Sequence, residues 1–177
     1  MNFEVPLSIG GNAANRSEDA LIQKQNTVLL FDADPAVRQL VSGLLDAHRL
    51  GSLCVIQNPR EAEEIIESER TPSLLFVHLD GPEDPRLNWL REQLKNAAWQ
   101  RLSVILLTTG DPRLLWREAL ALNLTDVLVK PLDESALLLK LRQCLGLKLY
   151  RDRLLRQDLL TGLTNHTGFM RRLESVL

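Results

Sequence analysis

The sequence predicts an α/β fold, a five-stranded parallel doubly wound sheet with a C-terminal helical extension. Three observations carry that prediction. Five short apolar runs alternate with stretches whose apolar residues recur at helical spacing. Each run is continuous rather than alternating, as strands buried on both faces require. Four polar residues, Asp32, His78, Thr108 and Lys130, each follow one of those runs. Open α/β sheets build their sites at that carboxyl edge. With 45% hydrophobic and 25% charged residues over 177 positions, a disordered, collagen-like or disulfide-scaffold chain is excluded.

Residues 1–26 carry Gly10, Gly11, Asn12, Asn15 and Ser17 with few large apolar groups, and read as a flexible arm with one helical turn near Asp19–Gln25. Val28-Leu29-Leu30-Phe31 is the first strand, ended by the acidic turn Asp32-Ala33-Asp34-Pro35. Asp34 is placed to cap the next helix, Pro35 suits its first turn, and Val37, Leu40, Val41, Leu44 and Leu45 recur along it. Gly51 breaks that pattern before the second strand, Leu53–Ile56, and Pro59 opens a helix with Ala62, Ile65 and Ile66 inward. Leu74–Val77 is the third strand, followed by a turn-rich loop to Pro85 and a helix marked by Leu87, Leu90 and Leu94. Val104–Leu107 is the fourth, with Leu114, Leu115, Glu118 and Leu122 helical behind it. Val127–Val129 is the fifth and stops at Lys130-Pro131; Asp133 then caps a Leu-rich helix to about Leu145. Strands alternating with helices imply parallel pairing and a sheet covered on both faces.

Lys and Arg total 21 against 23 Asp and Glu, so no basic excess argues for nucleic acid or an anionic membrane as partner. Cys54 and Cys144 lie far apart and read as small buried side chains in a reducing compartment. No apolar run approaches the ~18 residues of a membrane span, and the N-terminus lacks a basic and then apolar leader pattern, so a cytoplasmic protein is expected. His48 ends a helix, where a cation suits the dipole. Trp89, Trp99 and Trp116 sit on or beside helices and read as packing or interface residues.

Residues 27–145 resemble the receiver domain of bacterial two-component response regulators, a flavodoxin-like fold. Phe31-Asp32-Ala33-Asp34-Pro35 is similar to the family's acidic block after strand 1, Leu107-Thr108 to its hydroxyl block after strand 4, and Val127-Leu128-Val129-Lys130-Pro131 to its Lys-Pro block. The order of these blocks on five β–α units carries the resemblance. Residues 158–177 resemble the opening of a GGDEF domain, the diguanylate cyclase module. The matching residues are Asp158, Leu160-Thr161-Gly162-Leu163, Asn165 and Phe169, and the Gly-Gly-Asp-Glu-Phe loop itself is absent. The resemblance divides the chain into the arm 1–26, a receiver-like domain 27–145, a linker helix 146–157 and a truncated GGDEF beginning 158–177.

In the receiver family an Asp carboxylate accepts a phosphoryl group beside Mg²⁺, and positioning with charge neutralisation supplies most of the catalysis. The resemblance implies that Asp32, Thr108 and Lys130 are remnants of that pocket. Three positions depart from it. Ala33 stands at the second acidic position, His78 at the phosphoacceptor position (Pro82 follows it at the family's spacing), and Val127 at the aromatic switch position. Imidazole is a poor partner for Mg²⁺, so no cofactor is expected and metal binding is weak or absent. His78 is expected to fill the pocket, hydrogen-bonded to Asp32 or Thr108. Asp80 is the alternative acceptor; an extended chain would carry its carboxylate roughly 6–7 Å further on, and a loop bend would have to return it.

The leading functional reading is a non-catalytic pseudo-receiver that regulates an attached cyclic di-GMP output domain. It acts as a homodimer, with a further protein partner possible on the receiver surface. Pairing surfaces are expected on the Leu-rich final helix, with Leu138, Leu141 and Leu145, and on a seam of Leu147, Tyr150 and Leu154. Competing readings are a phosphorylatable receiver using Asp80 with Mg²⁺, and a flavodoxin-like small-molecule binder. The last is opposed by the lack of a Gly-rich loop to cradle a phosphate or flavin.

Overall fold

The structure, a computed structural model, describes residues 26–68 and 72–156; side chains are described as far as Gly146. The arm over 1–25 and the GGDEF-like segment lie outside the described residues. Five strands, β1 (Thr27–Phe31), β2 (Ser52–Val55), β3 (Leu74–His78), β4 (Ser103–Thr108) and β5 (Asp126–Val129), form one sheet in the order β2-β1-β3-β4-β5. Every neighbouring pair is parallel. Among the described residues the helices are α1 (Pro35–Ala47), α2 (Pro59–Glu67), α3 (Pro85–Gln93), α4 (Ala97–Gln100), α5 (Arg113–Ala121) and α6 (Glu134–Arg156). The α/β prediction holds strand for strand.

The continuous apolar runs have a simple cause. Leu29, Phe31, Leu75, Val77, Val104 and Leu106 pack on one face against α2, α3 and α5, while Val28, Leu30, Leu74, Phe76, Ile105 and Leu107 pack on the other against α1 and α6. With successive side chains pointing to opposite faces, both parities must be apolar. Each fully buried Leu or Ile contributes about 1.5–3 kcal/mol, so this double layer dominates the stability of the fold.

Asn26 belongs to the domain rather than to the arm. It is buried, donates Nδ2 to the Leu50 carbonyl, accepts from Ser73 Oγ, and its carbonyl accepts from Ser52 N. Gly51 crosses this contact at φ 152°, where a Cβ would collide with the Asn26 carbonyl, so glycine is required. A short helix the periodicity did not show, α4, is capped by Asn96 and drives Trp99 into the core. Trp99 meets Trp89 edge-on at 5.4 Å, and Trp89 meets Phe31 at 5.9 Å. Trp116 instead lies 51% exposed on α5 beside Leu120 at 83%.

Two expectations at the C-terminal side are corrected. The final helix and the linker are one element, because α6 runs unbroken through Gly146 to Arg156. Its Leu141 and Leu145 do not offer a pairing surface: both are buried against the sheet with Leu137 and Cys144, and Leu138 is partly buried there too. The helix backbone passes through Leu147, Tyr150 and Leu154, whose side chains lie outside the described residues. Cys54 is half-buried, Cys144 is buried, and the two are not joined in a disulfide. His48 is indeed the C-cap of α1, but its Nδ1 sits 3.3 Å from Arg142 Nη2. The Arg142 guanidinium, which only donates, therefore also lies at that helix end. Among the described residues no helix is long and apolar enough to cross a membrane.

Candidate functional site

Sheet register brings the predicted residues together. Phe31 pairs with Val77, His78 with Leu107, and Thr108 with Val129. The next residues out, Asp32 beside His78 and Lys130 beyond Val129, therefore gather at one carboxyl edge across β1, β3, β4 and β5. Lys130 Nζ stands 2.6 Å from Asp32 Oδ2 and 3.4 Å from Asp34 Oδ2, with the Lys130 and Asp32 side chains 7% and 1% exposed. Asp32 Oδ1 also accepts from the backbone N–H of Asp34 at 2.9 Å. The lysine contact is close but poorly aligned, for Asp32 Oδ2 makes no hydrogen bond of good geometry. It is a buried charge pair held by Coulomb attraction rather than by direction.

His78 does not make the hydrogen bond expected of it. Its Nδ1 is 3.8 Å from Asp32 Oδ1 and its buried Nε2 has no hydrogen-bond partner. Thr108, buried, uses its hydroxyl to accept from the Gly110 N–H at 3.1 Å. A neutral imidazole has one N–H and one lone pair, so a ring between two carboxylates satisfies only one of them. The second carboxylate is Asp80. The loop after β3 bends, as the alternative-acceptor reading required, and returns Asp80 Oδ1 to 3.6 Å from His78 Nε2. Yet the Asp80 side chain is 78% exposed, and its other oxygen lies 3.5 Å from Arg86 Nη2. Ala33 offers no ligand atom, and Val127 is a buried core residue packed on the α2–α3–α5 face.

The resemblance of residues 27–145 to receiver domains implies a magnesium ion at this edge. Mg²⁺ needs several oxygen ligands in near-octahedral order. Asp32 has both oxygens engaged, Ala33 has none, and His78 presents a ring nitrogen, so the residues do not fit the ion. Among the described residues no group of three or more His, Cys, Asp and Glu is placed to hold a metal.

Sequence reasoning missed Asp84 and Arg86. Asp84 caps α3 at Arg86 N and takes the Arg86 guanidinium at 2.6 and 2.9 Å. The signal was present: Asp-Pro-Arg occurs again at Asp111-Pro112-Arg113, where the same clip forms in solvent. Burial of Asp84 opposes its charge, but the Arg86 hydrogen bond and the backbone N–H groups of Asp80 and Arg86 outweigh it and lower the carboxyl from its usual 3.8 to about 2. The Arg86 guanidinium is raised in turn, first by its bond to Asp84. A carboxyl lowered in the folded state contributes stability that is fully present above its unfolded value near 3.8 and is lost as pH falls through about 2. Asp84→Asn keeps a capping side chain but removes the charge, so it should lose on the order of 2 kcal/mol at pH 7. Urea denaturation should show that deficit shrinking as pH drops from 4 toward 2; a deficit independent of pH would contradict the assignment.

No protein-family model and no curated protein matches the sequence. Solved structures do resemble it. A response regulator from Thermotoga maritima superposes with TM-score 0.59 at 20% identity, over 70% of this chain and 99% of that one. The chemotaxis protein CheY4 of Vibrio cholerae gives 0.56 at 20% identity, over 68% and 99%. The receiver domain of a sensor histidine kinase from Pseudomonas aeruginosa, solved with magnesium in its active-site cleft, gives 0.56 at 17% identity, over 70% and 99%. Residues of this chain from β1 to α6 have the fold of response-regulator receiver domains.

Proposed function

We infer that this chain is a receiver-like signalling module that works without phosphorylation, is not itself an enzyme, and controls an attached GGDEF-type output. The observation that supports it best is the buried Lys130–Asp32 pair flanked by Ala33 and His78. In this reading Asp32, Thr108 and Lys130 stand where receiver domains hold their phosphoacceptor pocket, while Ala33 and His78 replace the groups that would take up Mg²⁺ and the phosphoryl group, and Asp32 is already engaged by Lys130. The output domain is inferred from the motif over 158–177. Acetyl phosphate with Mg²⁺ should therefore leave the mass of the protein unchanged. An acid-labile gain of one phosphoryl group that disappears in Asp80→Asn would overturn this reading and establish Asp80 as the acceptor.

A module without phosphorylation can act by pairing its outputs, and a parallel helix continuing α6 would carry both to the same side. Light scattering should give a homodimer at ~100 µM, where an interface of about −5 to −6 kcal/mol is populated. A monomer at that concentration would refute it. Leu147→Asp with Leu154→Asp should dissociate the dimer; persistence would move the interface to the exposed Trp116 and Leu120 of α5.

A further inference from the structure

A cleft of about 460 Å³ opens on the β1–β2 side of the same edge, lined by Phe31, Asp32, Ala33, Asp34, Arg38, Val55, Ile56, Gln57 and Arg86. The size falls in the range of small-molecule sites, which combine an apolar lining with a few convergent polar groups. Here the apolar part is Phe31, Ala33, Val55 and Ile56. Ala33 and Val55 are exposed at the mouth of the cleft, and Ala33 adds no polar atom between Asp32 and Asp34.

The polar lining separates into groups already engaged and groups still available. Asp32 is held by Lys130 and the Asp34 N–H. Asp34 caps α1 at Ala36 N and also faces Lys130. Arg86 is clipped to Asp84 and lies over the Phe31 ring, 5.8 Å from its centroid. Arg38, by contrast, makes no side-chain hydrogen bond or ion pair among the described residues, and neither does the Gln57 amide. A free guanidinium is a planar donor that matches a carboxylate with two parallel bonds. We propose that this cleft binds a small organic carboxylate with an apolar or aromatic body, its head group on Arg38 and Gln57 and its body against Val55, Ile56 and Phe31. With no Gly-rich backbone cradle beside the cleft, the head group would be held by side chains, and a planar guanidinium with an amide suits a carboxylate.

Phenylacetate and its neutral isostere 2-phenylacetamide are suitable probes, titrated into the full chain while amide resonances are followed by NMR. Phenylacetate should give saturable shifts centred on Ala33, Asp34, Ile56 and Gln57, with affinity about tenfold above that of the amide. Arg38→Gln, on the outer surface of α1, should reduce phenylacetate to the level of phenylacetamide and leave the amide unchanged. The proposal is overturned by an absence of shifts up to ~20 mM, a range that would still register very weak binding. Equal affinity for the two probes, shifts centred elsewhere, or indifference to Arg38→Gln would overturn it equally.

Discussion

Lys130→Met should destabilise the domain by about 3–5 kcal/mol, the penalty for removing one partner of a buried ion pair. The ammonium is 2.6 Å from Asp32 Oδ2, and neither side chain has useful access to water. Without Lys130 the Asp32 carboxylate keeps only the Asp34 N–H as a close partner, and the nearby His78 ring is too far away to replace the lysine. Against a total stability of roughly 5–15 kcal/mol for a domain of this kind, the loss is large enough to read directly as a lowered urea midpoint at unchanged slope. The double variant Lys130→Met with Asp32→Asn removes both charges and should recover most of the loss. If the double variant were no more stable than Lys130→Met alone, the pair would not be the source of the effect.

The second large effect is a gain. Ala33→Asp combined with His78→Asp should create a divalent-cation site at an edge where Ala33 and His78 supply no oxygen ligand. Asp32 is already at the end of β1, His78 lies beside it with a ring nitrogen 3.8 Å from its Oδ1, and Ala33 is the next residue along. Carboxylates at these positions would crowd like charges. The double variant should therefore be less stable than wild type in chelator and should regain stability with Mg²⁺. At a hundredfold excess over the dissociation constant, binding to the folded state alone contributes about 2.7 kcal/mol. Thermal melts with and without Mg²⁺ should show that rise in the double variant and no rise in wild type. No Mg²⁺ response in the variant would mean that these positions do not correspond to a metal pocket.

Much of the site could be read from the chain because strand ends are marked by chemistry. An apolar run cannot continue through Asp32, His78 or Lys130, so each strand end and its polar residue are the same signal. What could not be read is how those residues spend their bonding capacity. His78 was expected to hydrogen-bond with Asp32 or Thr108, but Thr108 turns to the Gly110 N–H and the Asp32 contact is too long for a hydrogen bond. Asp80 looked remote by strand geometry, yet the loop returns it to the imidazole. The Asp84–Arg86 clip is local and its Asp-Pro-Arg pattern is legible, but the pattern does not show that this copy is buried while the copy at Asp111–Arg113 lies in solvent.

The length of the final helix shows the same division. Leucine periodicity was enough to predict a helix after Asp133, but not which leucines face inward. Leu137, Leu141, Cys144 and Leu145 are buried because α6 crosses the sheet at one particular rotation, and that rotation depends on the side chains of β1, β3 and β4 beneath it. Local pattern determines strands, helices, their order and the edge on which polar residues collect, since each follows from backbone geometry over a few residues. Pair distances, the free or engaged state of each charge, and the cleft beside Ala33 are long-range quantities. They depend on atoms from segments as far apart as Asp32 and Lys130, which only the packed sheet brings to 2.6 Å.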